Sequence, residues 1–157
     1  MNPPTLSPLD RSILACLQDD PRISMATLAE KTNSSVSPCW RRVKRLEETG
    51  LIAGYHMDLN RRALGFGIDS FLFVKLTSHH ERQTLEFERA VEPIEQVLSC
   101  HILSGQEDYL LRVVERDLDS FALFMRKVIA GLPHVREVRS ALIMQTIKES
   151  NRLPLPR

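Results

Sequence analysis

Residues 35 to 48 read Ser-Val-Ser-Pro-Cys-Trp-Arg-Arg-Val-Lys-Arg-Leu-Glu-Glu, and four of the five positions from Arg41 to Arg45 are basic. The fifth, Val43, belongs to an apolar seam with Cys39 and Leu46, at offsets of four and seven. That spacing lines one side of a helix. Ser35 suits the N-cap, and Pro38 suits the first turn, where no intrahelical donor is lost. The stretch therefore predicts a short helix glued down by one face and offering cations and Trp40 elsewhere. A helix of this kind fits the DNA major groove.

Upstream, Ser7-Pro8-Leu9-Asp10 opens like a helix, with Ser as cap, Pro at the first position and an acid three residues after the cap. Leu9, Ile13, Cys16 and Leu17 form its apolar stripe, and Asp20-Pro21 ends it. Ser24 caps a second helix with Met25, Leu28 and Ala29 on one face. Asn33-Ser34 supplies a tight turn, because Asn tolerates the left-handed conformation. Two helices joined by a short turn, the second one cationic, make the helix-turn-helix pattern. Gly50 stops the cationic helix, and Leu51 to Asn60 reads as a short extended wing.

The bulk composition sets limits on this reading. The chain has 157 residues, 26% of them charged, and a net charge of only +1. A globally basic nucleic-acid coat protein is excluded, so any DNA contact must use the local charge at Arg41 to Arg45. No run of about 18 apolar residues exists to span a membrane. No secretory signal is visible either, and a cytoplasmic protein is expected. Cys16, Cys39 and Cys100 are odd in number and widely spaced, which argues against a disulfide framework or a zinc site. Buried, inert thiols are the expectation, with a redox sensor as the other reading.

Beyond Asn60 the pattern changes, and Gly65 and Gly67 mark a hinge or linker. Strands are expected at Ile68 to Thr77, Gln96 to Leu103, Tyr109 to Glu115 and Val135 to Ile147. Helices are expected at Glu81 to Val91 and after the cap Asp117, the second carrying Leu118, Phe121, Ala122, Met125, Val128, Ile129 and Leu132 on one stripe. This β-α-β-β-α-β order is the ferredoxin-like split arrangement. The fold class is α+β: a winged helix-turn-helix at 1–60, a linker at 61–67, a ferredoxin-like domain at 68–150 and a tail at 151–157.

Both faces of the expected sheet carry apolar residues. Phe71 and Phe73 oppose Leu72, Val74 and Leu76, while Leu110 and Val114 oppose Leu111 and Val113. Likewise Ala141 and Ile143 oppose Leu142 and Met144. A lone two-layer domain keeps its outer sheet face polar, so a second copy of the same sheet is the expected cover.

Taken together, these segments resemble the Lrp/AsnC, or feast/famine, transcriptional regulators over nearly the whole length. The resemblance rests on Leu9-Asp10-Arg11, Ser37-Pro38-Cys39-Trp40-Arg41-Arg42-Val43, Gly50-Leu51-Ile52, Cys100-His101, Ser104-Gly105, Asp108-Tyr109-Leu110-Leu111 and Ser150-Asn151-Arg152. It implies a C-terminal domain of the RAM/AsnC type that dimerises and binds small molecules, usually amino acids. It also implies assembly of dimers into tetramers or octamers. The implied effector pocket lies between subunits and uses the loop Ser104-Gly105-Gln106-Glu107-Asp108-Tyr109, with His101 and Ser140 beside it. Many members carry an acid directly after the Gly, where this chain has Gln106. Without that charge, a ligand's ammonium group is left to Glu107, Asp108 or backbone carbonyls.

Several roles stay open at this level. Arg41, Arg42, Lys44 and Arg45 suit phosphates or base edges, with Val36 and Ser37 at the helix N-terminus and Ser24 and Ser35 as flanking hydroxyls. Arg42 and Arg45 also suit surface ion pairs with Glu47 or Glu48. Trp40 either packs on sugar-phosphate or shields the junction with the preceding helix. His101 is either a pocket residue or a strand residue at a dimer interface, and Asp108 either holds an amino group or caps the turn.

The leading function is a sequence-specific DNA-binding regulator modulated by an amino acid or related metabolite, with double-stranded DNA and a second copy as partners. No cofactor, metal or catalytic residue is expected; GxSxG, P-loop, HExxH and GxGxxG motifs are all absent from the chain. Two alternatives remain. One is a decarboxylase of sirohaem-type tetrapyrroles on the same two-part fold, against which the intact basic helix counts. The other is a metabolite-binding protein that no longer contacts DNA.

Overall fold

A computed structural model describes residues 5–156. They divide into two compact units: residues up to 58 together with those from 149 onward, and residues 59–148.

The first unit contains α1 (Pro8–Asp19), α2 (Met25–Lys31) and α3 (Val36–Glu48). Its start is fixed by a capping box: Asp10 N donates to Ser7 Oγ while the Asp10 carboxylate accepts from Ser7 N at 2.9 Å and Ser7 Oγ at 2.6 Å. Asn33 takes the left-handed conformation between α2 and α3, with φ 50°. Gly50 does the same after α3, with φ 72°, and lets Ile52 N reach back to Leu46 O at 3.0 Å. Ile13, Leu28, Cys39, Val43 and Leu46 pack as the core between the three helices. Cys39 is wholly buried, as expected of an inert thiol, whereas Cys16 is half-buried and Cys100 is exposed.

Two expectations for this unit are revised. Residues 53–60 form no strand. The wing is irregular, held to α3 where Tyr55 Oη donates to Glu47 Oε1 at 2.9 Å. Within the expected tail, the described residues 151–156 belong to this unit. Leu155 packs against the helical core, Leu153 N donates to Gln18 Oε1 at 2.7 Å, and Arg152 pairs with Asp19.

The second unit contains β1 (Ile68–Leu76), α4 (Glu81–Val91), β2 (Val97–Ile102), β3 (Tyr109–Glu115), α5 (Leu118–Lys127), a 3-10 turn at Ile129–Gly131 and β4 (Val135–Leu142). The strands lie in the order β2-β3-β1-β4, all neighbours antiparallel. That is the ferredoxin-like sheet expected from the element order. Leu72, Val74, Leu76, Leu111, Val113, Phe87, Phe121 and Ile129 form the core between sheet and helices. β4 stops at Leu142 rather than Ile147, because its last pairing is with Ser70 and β1 extends only two residues further back. Met144 and Ile147 are consequently 86% and 84% exposed.

The expected linker at 61–67 is a built turn. Asn60 Oδ1 accepts from Ala63 N at 3.0 Å, Phe66 N donates to Arg61 O at 2.9 Å, and Gly67 N donates to Arg116 O at 3.0 Å. A Cβ on Gly67 would stand 2.7 Å from Arg116 O, so this glycine marks a close backbone approach rather than a hinge. Arg61 turns inward to Asp69, whose buried carboxylate also takes Arg112 Nη2 at 2.9 Å.

The second face of the sheet also differs from the expectation of a plainly apolar surface. Asp69, Lys75, Arg112, Glu137 and Arg139 alternate with the apolar residues there, as the register requires. The Arg139 guanidinium lies 4.4 Å from the Phe73 ring centre. Reading hydrophobicity alone missed these charges.

Asp10 also reaches across to α3, where its Oδ1 stands 3.4 Å from Arg42 Nε. Burial by itself would raise its carboxyl; hydrogen bonds from Ser7 and the charges of Arg42 and Arg45 hold it below the ordinary carboxylate value instead. A carboxylate depressed in the folded state stabilises above its unfolded value and loses that contribution as pH falls through the folded one. We expect Asp10→Ala to lower unfolding stability by about 2 kcal/mol at neutral pH. The deficit should shrink below about pH 4. Urea melts at both pH values check this, and a deficit equal at pH 7 and pH 3 would exclude the ionised carboxylate as the source.

Candidate nucleic-acid interface and effector loop

The interface is built on α3. Cys39, Val43 and Leu46 anchor it, and of the residues between them Trp40, Arg41, Lys44 and Arg45 face solvent. Val36 and Trp40 are 49% and 50% exposed, and Ser37, Arg41, Lys44 and Arg45 are exposed as well. Lys44 Nζ stands 5.2 Å from the Trp40 ring centre and 4.0 Å from Glu48 Oε1. This surface brings together most of the expected DNA-contacting residues.

Three of those residues have structural duties. Arg42 pairs with Asp10 of α1, not with Glu47 or Glu48, and its side chain is only 31% exposed. Ser24 caps α2 by accepting from Thr27 N at 3.1 Å. Ser35 occupies the N-cap of α3, yet its hydroxyl makes no capping hydrogen bond. Tyr55, which the sequence did not single out, borders α3 through Glu47; partial burial and that hydrogen bond push its phenol up to about 12. Its signal was the alternation Tyr55, Met57, Leu59.

The loop expected to serve an effector joins β2 to β3. Gly105 adopts φ 148°, a conformation that L side chains rarely take. Leu103 N donates to Asp108 O at 2.8 Å and Asp108 N to Val74 O at 3.0 Å, which fixes the loop to β1. The Asp108 carboxylate is committed: Oδ2 accepts from Leu76 N at 2.8 Å, and Oδ1 stands 3.4 Å from His79 Nδ1. Glu107 lies 3.6 Å from Lys75 Nζ and 3.5 Å from Arg139 Nη2. Gln106 is exposed.

Within one chain the other expected effector residues do not converge on this loop. Tyr109 is 3% exposed in the core, its ring tilted against that of Phe87 with centres 4.7 Å apart, and its Oη donates to Glu88 Oε1 at 2.7 Å. Burial, and then this contact with Glu88, push its phenol strongly upward. Ser140 pairs in register with Leu72, on the helix-covered side of the sheet. His101 pairs with Leu110, on the opposite side. The sequence missed Lys75, Arg139 and His79, the groups that occupy the loop's acids. The signal for the first two was a basic residue beside apolar ones, on the strand face away from the helices. Among the described residues no three His, Cys, Asp or Glu side chains are grouped to hold a metal, and no helix is long and apolar enough to cross a membrane.

Comparison with known proteins agrees with this layout. The winged helix-turn-helix DNA-binding profile matches residues 6–53, and the Lrp/AsnC ligand binding domain profile matches residues 69–153. The chain is 33% identical over 150 residues to the DNA-binding transcriptional activator DecR of Escherichia coli, covering 96% of this chain and 99% of the relative. It is 35% identical over 148 residues to the leucine-responsive regulatory protein of the same organism, covering 94% and 90%. A Neisseria meningitidis transcriptional regulator crystallised with L-methionine superposes with a TM-score of 0.91 at 31% identity, covering 96% of this chain and 97% of that one. Each of these relatives is named as a regulator rather than an enzyme. The chain belongs to the Lrp/AsnC family of transcriptional regulators.

Proposed function

We propose that the protein is a cytoplasmic, sequence-specific DNA-binding regulator whose affinity for its operator is set by an amino acid or related metabolite bound between C-terminal domains. The observation that carries the DNA-binding part is the exposed surface of α3, where Ser37, Trp40, Arg41, Lys44 and Arg45 stand free of the core that anchors the helix. Guanidinium groups fork onto guanine edges, and ammonium groups serve phosphates. Arg42 is assigned to the scaffold, because its pairing with Asp10 draws it away from that surface.

A homodimer formed through the second sheet face is part of this reading. Phe71, Phe73 and Leu110 are half-buried there in the single chain, and a matching face would cover them. Dimerisation would also bring a second copy's residues to the loop at 104–108, where one chain alone gathers too few groups for a pocket. Two recognition helices related by a twofold axis favour a palindromic site with half-sites a whole number of helical turns apart.

Replacing both Arg41 and Lys44 by Ala should weaken binding to any duplex and flatten its salt dependence. Each lost phosphate contact removes about 0.9 from the slope of log affinity against log salt. Mobility shifts on DNA from upstream of the gene, at several salt concentrations, measure this; an unchanged slope would show that α3 is not the contacting element. A thermal-shift screen of the amino acids tests the effector. A ligand at a hundred times its Kd stabilises by about 2.7 kcal/mol, which is several degrees of Tm for a chain of this size. A flat response to every amino acid at millimolar concentration would remove amino-acid sensing from the function.

A further inference from the structure

We infer that the recognition helix reads thymine methyl groups through Val36, with Trp40 beside it, and guanine through Arg41, so that each operator half-site is defined by T·A and G·C pairs. The inference rests on the DNA-binding reading and names the chemistry of that same surface.

The argument starts from what the first turns of α3 expose. Recognition helices contact base edges with their N-terminal residues. Here those are Val36, Ser37, Trp40 and Arg41, with Lys44 one turn further on. Val36 and Trp40 lie four residues apart, on one side of the helix, each about half exposed. Between them and Arg41 no Asn or Gln is present to pair with adenine, and no Asp or Glu to accept from cytosine. Ser37 discriminates weakly, since a hydroxyl serves either partner.

That leaves two kinds of readout. Arg41 is the one exposed guanidinium of these first two turns and suits the O6 and N7 acceptors of guanine. The apolar pair has one well-matched group in the major groove, the C5-methyl of thymine, because it is the only apolar group on a base edge there larger than a C–H hydrogen. The surrounding charge commits the patch to DNA rather than to a protein partner: Arg41, Lys44 and Arg45 follow it directly, and Lys44 Nζ lies 5.2 Å from the Trp40 ring. A half-exposed Trp carrying a cation suits a polyanion that offers sugar and methyl surface between its charges.

The test uses the full-length protein and a random duplex pool. Selected half-sites should contain at least one invariant T·A pair and one G·C pair. Thymines in the selected site are then replaced one at a time by deoxyuridine, which deletes only the methyl. Burying one methyl is worth about a fourfold change in affinity, so one thymine per half-site should show a loss of that size. In Val36→Ala, affinity for the thymine duplex should fall to that of the deoxyuridine duplex, with no further loss on replacement. Thermal melting of Val36→Ala checks that the fold is kept, and its unchanged salt slope checks that phosphate contacts survive. Equal affinity for thymine and deoxyuridine at every position would overturn the inference while leaving DNA binding intact. Failure to select any duplex would overturn the DNA-binding reading and this inference with it.

Discussion

The first unit depends on one carboxylate. Asp10 closes the capping box at the start of α1, and its second oxygen faces Arg42 in the middle of α3. It is 3% exposed, so an ionised group there is tolerable only because both sides supply partners. The consequence is directional. Fixing Arg42 inward sets the rotation of α3 about its axis, and Cys39, Val43 and Leu46 fix it from the buried side. Rotation decides which residues α3 exposes, so a scaffold contact helps set the composition of its exposed face.

The second unit solves a related problem with charge instead of caps. Asp69 is as buried as Asp10, and Arg61 and Arg112 approach it from the turn at 61–67 and from β3. That grouping ties the turn to the sheet and makes a supposed linker part of the folded unit. At the other end of β1, Lys75 and Arg139 meet Glu107. Both acids of the 104–108 loop are thereby occupied by the protein's own groups, and Gln106 carries no charge. The carboxylates of this loop are therefore already in use within the chain.

Much of the fold was legible because its signals are local. The capping box at Ser7 and Asp10, the left-handed Asn33 and Gly50, and the seam of Cys39, Val43 and Leu46 are each set within a few residues and appear as expected. Apart from the wing, the misjudged features depend on a distant partner. The end of β4 depends on where β1 begins, the placement of Leu153 and Leu155 on Gln18 and the helical core, and the role of Gly67 on the Arg116 carbonyl. The surroundings of the residues expected to bind an effector were the least legible. Strand alternation assigns His101 and Ser140 to faces only once register is known, and a loop motif does not reveal that Tyr109 turns into the core.

The amino-acid sequence by itself determined the identities of the helices and strands, the position of the cationic helix and the order that makes the second unit ferredoxin-like. These follow from periodicity, caps and turn residues, whose energies are decided between near neighbours. Only the tertiary structure decided which cation of the Arg41–Arg45 cluster serves the scaffold and which acids of the loop are already paired. Those outcomes depend on side chains brought together from positions 30 or more residues apart, and no local pattern along the chain encodes such a pairing.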